Sequence, residues 1–176
     1  MTMHHIATLT ATTTAQLTFS SIPQTFTHLQ VRISGRDASA TTINTTFVQI
    51  NGFGGTYPYY HVLSGDGASA TSGASVSSVI AMAVIAGANA SANITGSVIV
   101  DLYDYASTTK NKTIKSFGGV DLNGSGQVAL TSGLFASTSA ITSIIVGGAF
   151  NSPYAFAAGT RVDLYGITSN PISRGA

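Results

Sequence analysis

The chain has 176 residues and a mass of 17.9 kDa, which suits a single domain large enough to bury a core. Half of its residues are Thr, Ser, Ala or Gly, and only 7% are charged, against about 25% in an average soluble domain. A net charge of +1 excludes the strongly basic surface that nucleic-acid binding requires. The absence of cysteine excludes disulfides, thiolate metal sites and cysteine nucleophiles. The composition therefore favours a β protein that acts by contact and not by catalysis.

The order of apolar and polar residues predicts short β-strands along the whole chain. In chain order they are 5–9, 15–19, 27–34, 45–51, 57–63, 76–85, 97–103, 112–117, 126–131, 140–147 and 161–167. Alternation with a period of two is clearest in 27–34, 97–103 and 161–167. Frequent β-branched residues and the absence of Glu disfavour helices. We therefore predict an all-β fold, an antiparallel jelly-roll-like β-sandwich.

The domain organisation is predicted as one sandwich over residues 16–167. Residues 1–15 are expected to form an N-terminal contact arm, and residues 168–176 an extended C-terminal tail. The longest loops are predicted at 35–43, 64–75 and 86–94, where small and polar residues predominate.

The most apolar uninterrupted run is 79–86. Its eight residues are far fewer than the roughly 20 that span a bilayer. We interpret this run as a buried or interface-facing segment and expect no membrane contact.

One group of residues invites a catalytic interpretation. His61, Ser64 and Asp66 have the types of a Ser-His-Asp triad. A triad is defined by geometry and not by closeness in sequence, and no nucleophile-elbow motif surrounds Ser64. We therefore interpret these residues as a strand end followed by a turn.

Carboxylates are too few for most other catalytic or metal sites. Asp101 and Asp104 are the only acidic residues close in sequence, and we expect them to lie on the solvated surface. Residues 121–126 match the opening of a calcium loop, but position twelve of that loop is Ser132, so a hairpin turn fits better. The four histidines lack ligand spacing. We predict no enzyme activity, no cofactor and no metal.

Two polar and aromatic clusters are candidates for contact with a partner. Lys110 and Lys112 share a face if their strand starts that early, whereas Lys115 has the opposite parity. These lysines serve either as a solubilising strand edge or as partners for carboxylates on another protein. The residues predicted to form an interface are Phe53, Tyr57, Tyr59, Tyr60, Lys110 and Lys112.

The aromatic stretch 51–61 leaves three interpretations open. Tyr57 and Tyr59 share one strand face while Tyr60 is buried on the other, or the stretch anchors a protein interface, or it forms a sugar-stacking platform.

Several motifs together resemble bacteriophage virion structural proteins. Residues 21–29, SIPQTFTHL, resemble their S-I-P-x-T-Y/F-T-H-L opening, and residues 61–67, HVLSGDG, resemble an H-x-L-x-G-x-G element. Asp-Tyr at 104–105 followed by K-N-K-T at 110–113 is similar to a third element, and the segment 160–167, TRVDLYGI, to the closing S/T-x-x-x-L-Y-G-I. The resemblance covers nearly the whole chain.

This resemblance implies a non-enzymatic virion protein that decorates or cements the capsid, with a homotrimer as the expected assembly. The implied partners are the major capsid protein and copies of the chain itself, with no nucleic acid and no membrane, and the implied location is the virion. The alternative is a tail fibre or receptor-binding module that recognises host surface carbohydrate. An enzyme such as a depolymerase is disfavoured by the scarcity of carboxylates.

Overall fold

A computed structural model describes residues 1–12, 16–52, 58–148 and 155–169, which form twelve β-strands and no helix. The strands are β1 (Thr2–Thr10), β2 (Leu17–Phe19), β3 (His28–Gly35), β4 (Ile43–Ile50), β5 (Pro58–Gly65), β6 (Ala70–Val76), β7 (Ile80–Ala86), β8 (Gly96–Leu102), β9 (Lys112–Asp121), β10 (Gly126–Phe135), β11 (Ile144–Gly147) and β12 (Arg161–Thr168). The predicted all-β antiparallel sandwich is confirmed. In the described part of the chain, no helix is long and apolar enough to cross a membrane.

Two antiparallel sheets enclose the core. The large sheet has the order β1-β12-β3-β8-β9-β10-β5-β6, and the small sheet has the order β2-β11-β4-β7. Alternation along the strands turns one side chain in two toward the space between the sheets. The large apolar residues buried there include Leu29, Ile50, Ile80, Met82, Leu102 and Ile114.

Strand β7 lies closest to the centre of the core. All seven of its residues are buried, which confirms the buried interpretation of the apolar run 79–86. It packs across β8, β9 and β10 of the large sheet. A Cβ atom added at Gly133 would lie 2.7 Å from the Ile80 side chain, and one at Gly96 would lie 2.6 Å from the Ile85 Cα. Glycine at these two positions therefore allows β7 to approach the large sheet closely.

The loop between β7 and β8 is fastened by one guanidinium group. Arg36 donates hydrogen bonds of 2.7–2.9 Å to the carbonyl oxygens of Gly87, Ala90, Ser91 and Ile94. The loops predicted at 35–43 and 86–94 do lie between strands, and Arg36 joins the first to the second.

The ends of the domain differ from the predicted organisation. Strand β1 pairs with β12 from Thr2 to Thr10, so most of the segment 1–15 belongs to the large sheet and is not a separate arm. Strand β12 extends to Thr168, one residue beyond the predicted sandwich boundary. Most of the predicted tail, residues 170–176, lies outside the described residues.

The predicted loop 64–75 is wrong for its second half, and the predicted strand 76–85 is wrong as one continuous element. Strand β6 begins at Ala70, and residues 77–79 separate it from β7. The residues of β6 are Ala, Thr, Ser and Gly with a single Val, so they lack the apolar alternation that identifies a half-buried strand. Its strand geometry comes from pairing with β5.

Two buried hydroxyl groups face the core without a hydrogen-bond partner. Ser116 and Thr131 are direct neighbours across β9 and β10, and the side-chain oxygens of both are unpaired in the described structure. Burying a hydroxyl without a partner costs free energy, since its hydrogen bonds to water are lost.

Thr131→Val should therefore raise the free energy of unfolding by about 1 kcal/mol, because it removes a buried unpaired hydroxyl while keeping the shape. Urea unfolding measures the change. The control is Thr113→Val at an exposed position of β9, where we expect a change within about 0.5 kcal/mol. A less stable Thr131→Val variant would contradict the prediction.

Candidate interaction surface

The outer side of the large sheet carries a concentration of exposed apolar side chains. They lie on β8, β9, β10, β5 and β6, and we call them the apolar face. Its members are Tyr59, Leu63, Val76, Ile99, Phe117, Val128, Leu130 and Leu134. Scattered exposed apolar residues are normal on a protein surface, but contiguous patches of this kind mark interaction sites.

Strand register makes the apolar face contiguous. Ile99 lies opposite Phe117, Phe117 opposite Leu130, and Leu130 opposite Leu63, so four neighbouring strands place large apolar side chains in one row. The exposed fractions are 42% for Ile99, 57% for Phe117, 49% for Leu130 and 54% for Leu63. Directly opposite side chains lie about 5 Å apart, so these four form one continuous strip.

A second apolar row runs parallel to the first, with a polar row between them. Leu134 lies opposite Tyr59, and Tyr59 lies opposite Val76. The intervening row contains Asp101, Lys115, Ser132 and His61 in direct cross-strand register. Protein interfaces have an apolar centre and a polar rim, so the apolar rows on either side of this polar row are the parts of the face best suited to contact.

The polar row is partly satisfied within the chain. Asp101 accepts a hydrogen bond of 2.8 Å from the Gln30 side chain, and the Lys115 ammonium lies 5.8 Å from the centre of the Tyr103 ring. Within this row, Asp101 and Lys115 therefore have contacts inside the single chain.

The other half of the same sheet side, on β1, β12 and β3, is polar. Arg161 forms an ion pair of 2.9 Å with Asp163, which also accepts a hydrogen bond of 2.5 Å from Thr8. Partial burial opposes ionisation of Asp163, but the hydrogen bonds from Thr8 and Arg161 and the charge of Arg161 outweigh it and lower the pKa of Asp163. The Arg32 guanidinium lies 5.1 Å from the centre of the Tyr165 ring. One sheet side thus divides into an apolar half and a polar, internally paired half.

An open cleft of about 860 Å³ lies beside the apolar face, between β3, β8 and β12. Three arginines line it: Arg32, Arg36 and Arg161. The Arg36 guanidinium is held by backbone carbonyls and that of Arg161 by Asp163. Arg32 donates a hydrogen bond of 2.8 Å to the Gln30 side chain, so all three cations are engaged in contacts within the chain.

Strand β10 explains why the sequence did not reveal the apolar face. Three of its large apolar residues, Val128, Leu130 and Leu134, point outward, whereas Ala129, Thr131 and Gly133 point into the core. At Gly133 the small inward residue has a physical cause, because the Ile80 side chain of β7 lies 2.7 Å from the position of an added Cβ atom. When large and small residues alternate along a strand, the sequence shows that the two sides of the strand differ in side-chain size. It does not show which side is buried.

The predicted aromatic residues divide between the two sides of β5. Tyr59 is 54% exposed on the apolar face, and Tyr60 is buried on the inner side, which confirms the predicted parity of these two residues. Phe53 and Tyr57, also predicted as interface residues, lie outside the described residues.

The two predicted interface lysines do not share a surface. Lys110 is exposed and forms an ion pair of 2.8 Å with Asp104. The hydrogen bond that Lys110 donates to Asp104 lowers the pKa of Asp104 and raises the pKa of Lys110. The prediction for Lys112 is corrected, because its side chain is fully buried at the start of β9. Alternation along β9 places Lys112 on the inward side of the sheet and Lys115 on the outward side.

Backbone carbonyls surround the buried Lys112 ammonium. It donates hydrogen bonds to the carbonyl oxygens of Ser107 at 2.6 Å, Lys110 at 2.8 Å, Thr138 at 3.0 Å and Ser137 at 3.4 Å. Burial lowers the pKa of Lys112. The ammonium links the turn before β9 to the segment after β10, so its role is structural.

The residues of the considered triad do not converge. His61 and Ser64 differ in parity on β5 and therefore point to opposite sides of the sheet. The Asp66 side chain accepts backbone hydrogen bonds from Ser69 at 2.7 Å and Ala68 at 2.9 Å, which lower the pKa of Asp66. These residues form the strand end and turn that the sequence predicts.

The calcium-like segment also forms a turn. Asp121 accepts a hydrogen bond of 2.7 Å from the Asn123 backbone, and Asn123 and Gly124 both have positive φ between β9 and β10. Within the described ranges, no group of three or more His, Cys, Asp or Glu side chains could hold a metal ion.

Comparisons of the chain with protein-family models, with curated proteins and with solved structures gave no match. The geometry of the apolar face therefore carries the functional argument.

Lys112→Met should lower the free energy of unfolding by about 3 kcal/mol, because it leaves buried carbonyl oxygens without their donor. Urea unfolding measures the loss. The control is Lys115→Met on the exposed side of the same strand, with an expected change within about 0.5 kcal/mol. Equal stabilities of the two variants would contradict a structural role for the buried ammonium.

Proposed function

We propose that this chain is a non-enzymatic bacteriophage virion protein that decorates or cements the capsid, with the major capsid protein and copies of itself as partners. The single observation that carries the proposal is the apolar face on the outer side of the large sheet. The motif resemblance to virion structural proteins supplies the biological setting, and the homotrimer is the assembly that suits a three-fold position of a shell.

The chemistry of the apolar face suits assembly. Burying apolar surface stabilises a contact by roughly 25 cal/mol per Å², without any need for charge complementarity. The scarcity of charged residues lets identical copies lie side by side with little electrostatic repulsion. On a shell with many equivalent positions, modest contacts at each position combine into strong attachment.

The alternative function is a tail fibre or receptor-binding module for host surface carbohydrate. The exposed Tyr59 ring favours this alternative, since aromatic rings provide flat apolar surfaces on which sugars can stack. Its location beside Leu134 and Val76 fits the first proposal equally well, because it continues the apolar face.

A particle-binding experiment tests the proposed function. Capsids assembled without the chain are mixed with the purified protein or with the double variant Phe117→Ser/Leu130→Ser, and bound protein is quantified after sedimentation of the capsids. We expect at least a tenfold loss of affinity, because burial of each of these side chains contributes about 1.5–3 kcal/mol. Both side chains are largely exposed in the single chain, so the fold should persist, which circular dichroism checks.

The matched control is Tyr165→Ser on the polar half of the same sheet side, with unchanged binding expected. Wild-type affinity of the double variant would contradict the proposal. Binding to host glycans that is lost in Tyr59→Ser, with no binding to capsids, would favour the tail module instead.

A further inference from the structure

We propose that two copies of the chain pair antiparallel through the outer edge of β6, centred on Gly73, and so join their large sheets into one continuous sheet. The inference rests on the proposed function as an assembly protein and names one of its self-contacts. It concerns the sheet edge and not the apolar face, so the two can be tested separately.

Strand β6 is the unprotected edge among the described strands. Natural sheets protect their edges by bulges, short strands, charges or coverage. Strand β1 has an irregular register between His5 and Ala7, β2 has only three residues, and β7 is buried. Strand β6 has seven residues in regular register, with no charged residue and no proline. Its outer backbone donors and acceptors are therefore available to another strand.

Strand β6 is exposed along its whole length. All seven residues are exposed on both sides of the sheet, so the strand extends beyond the cover of the small sheet. Pairing with β5 holds it in place, together with a hydroxyl contact of 2.9 Å between Thr71 and Ser64. A strand that buries none of its residues in the single chain gains burial when a further strand is added beside it.

The sequence of β6 is complementary to itself. In an antiparallel pair centred on Gly73, Ala70 lies opposite Val76 of the second copy, and Thr71 lies opposite Ser75. The first pair is apolar and the second joins two hydroxyl groups, and both are favourable cross-strand combinations. Because β6 has no charge, the pairing brings no like charges together.

A glycine lies at the centre of this register. Glycine inside a strand weakens it, and it often marks a place where another backbone approaches closely. A Cβ atom added at Gly73 would meet only the Val62 side chain, at 3.7 Å, which is ordinary contact. Packing within the single chain therefore does not require glycine at this position, and the absence of a side chain there permits close approach of a second β6.

The pairing has a consequence for the apolar face. A two-fold axis perpendicular to the sheet keeps both apolar faces on the same side of the joined sheet. Val76, at the border of the face, then lies beside Ala70 of the second copy, whereas Thr71 and Ser75 point to the opposite side. The pair would thus present twice the apolar area to one surface. The β6 contact has two-fold symmetry. It is therefore a contact additional to those that form a three-fold assembly.

Charge substitutions on the opposite side test the register. In Thr71→Lys/Ser75→Lys, each lysine lies opposite a lysine of the second copy at two positions. In Thr71→Lys/Ser75→Asp, each lysine lies opposite an aspartate. Sedimentation equilibrium of the full chain over a range of concentrations measures the mass and the dissociation constant. Positions 71 and 75 are exposed, so both variants should fold, which circular dichroism checks.

We expect the wild-type chain and the Lys/Asp variant to reach twice the mass of the Lys/Lys variant. The dissociation constant for self-association of the Lys/Lys variant should rise roughly tenfold or more. Equal masses of wild type and the Lys/Lys variant would overturn the proposal, and failure of the Lys/Asp variant to associate would overturn the Gly73-centred register. The Phe117→Ser/Leu130→Ser variant is the control and should still double in mass. If this control variant loses capsid binding but still doubles in mass, the apolar face and the β6 edge are separate contacts.

Discussion

The close approach of β7 to the large sheet is the constraint on which the rest of the structure depends. The Ile80 side chain of this fully buried strand lies 2.7 Å from the position that a Cβ atom at Gly133 of β10 would take. Ala129, Thr131 and Gly133 precede the buried Phe135 on the inward side of β10, whereas Val128, Leu130 and Leu134 point outward. Core packing at Gly133 thus excludes a larger residue from the inward side of this strand.

The fold class was predictable from sequence because period-two alternation and turn residues are local properties. The opposite exposure of Tyr59 and Tyr60 was predictable for the same reason. Strand β6 was not, since pairing with β5 and not its own residues defines it. Lys112 was misplaced although its strand was predicted to begin at this residue, because a sequence shows a lysine as polar even when backbone carbonyls surround it.

The apolar face was not predictable for a different reason. The row of Ile99, Phe117, Leu130 and Leu63 comes from four strands. Only the register of three strand pairs brings these residues into line. Register depends on turns and on core packing across the whole sheet. A sequence-based search for aromatic clusters therefore found Tyr59, at the border of the face, and missed Phe117 at its centre.

We propose that assembly buries the apolar face. Hydroxyl-radical footprinting of the free chain and of the chain on assembled particles tests this most directly, because it reports the solvent exposure of individual side chains. Oxidation of Phe117, Leu130 and Leu63 should fall strongly on the particle, while oxidation of the exposed Met3, on β1 of the polar half, should change little. Unchanged oxidation of these three residues would contradict the claim.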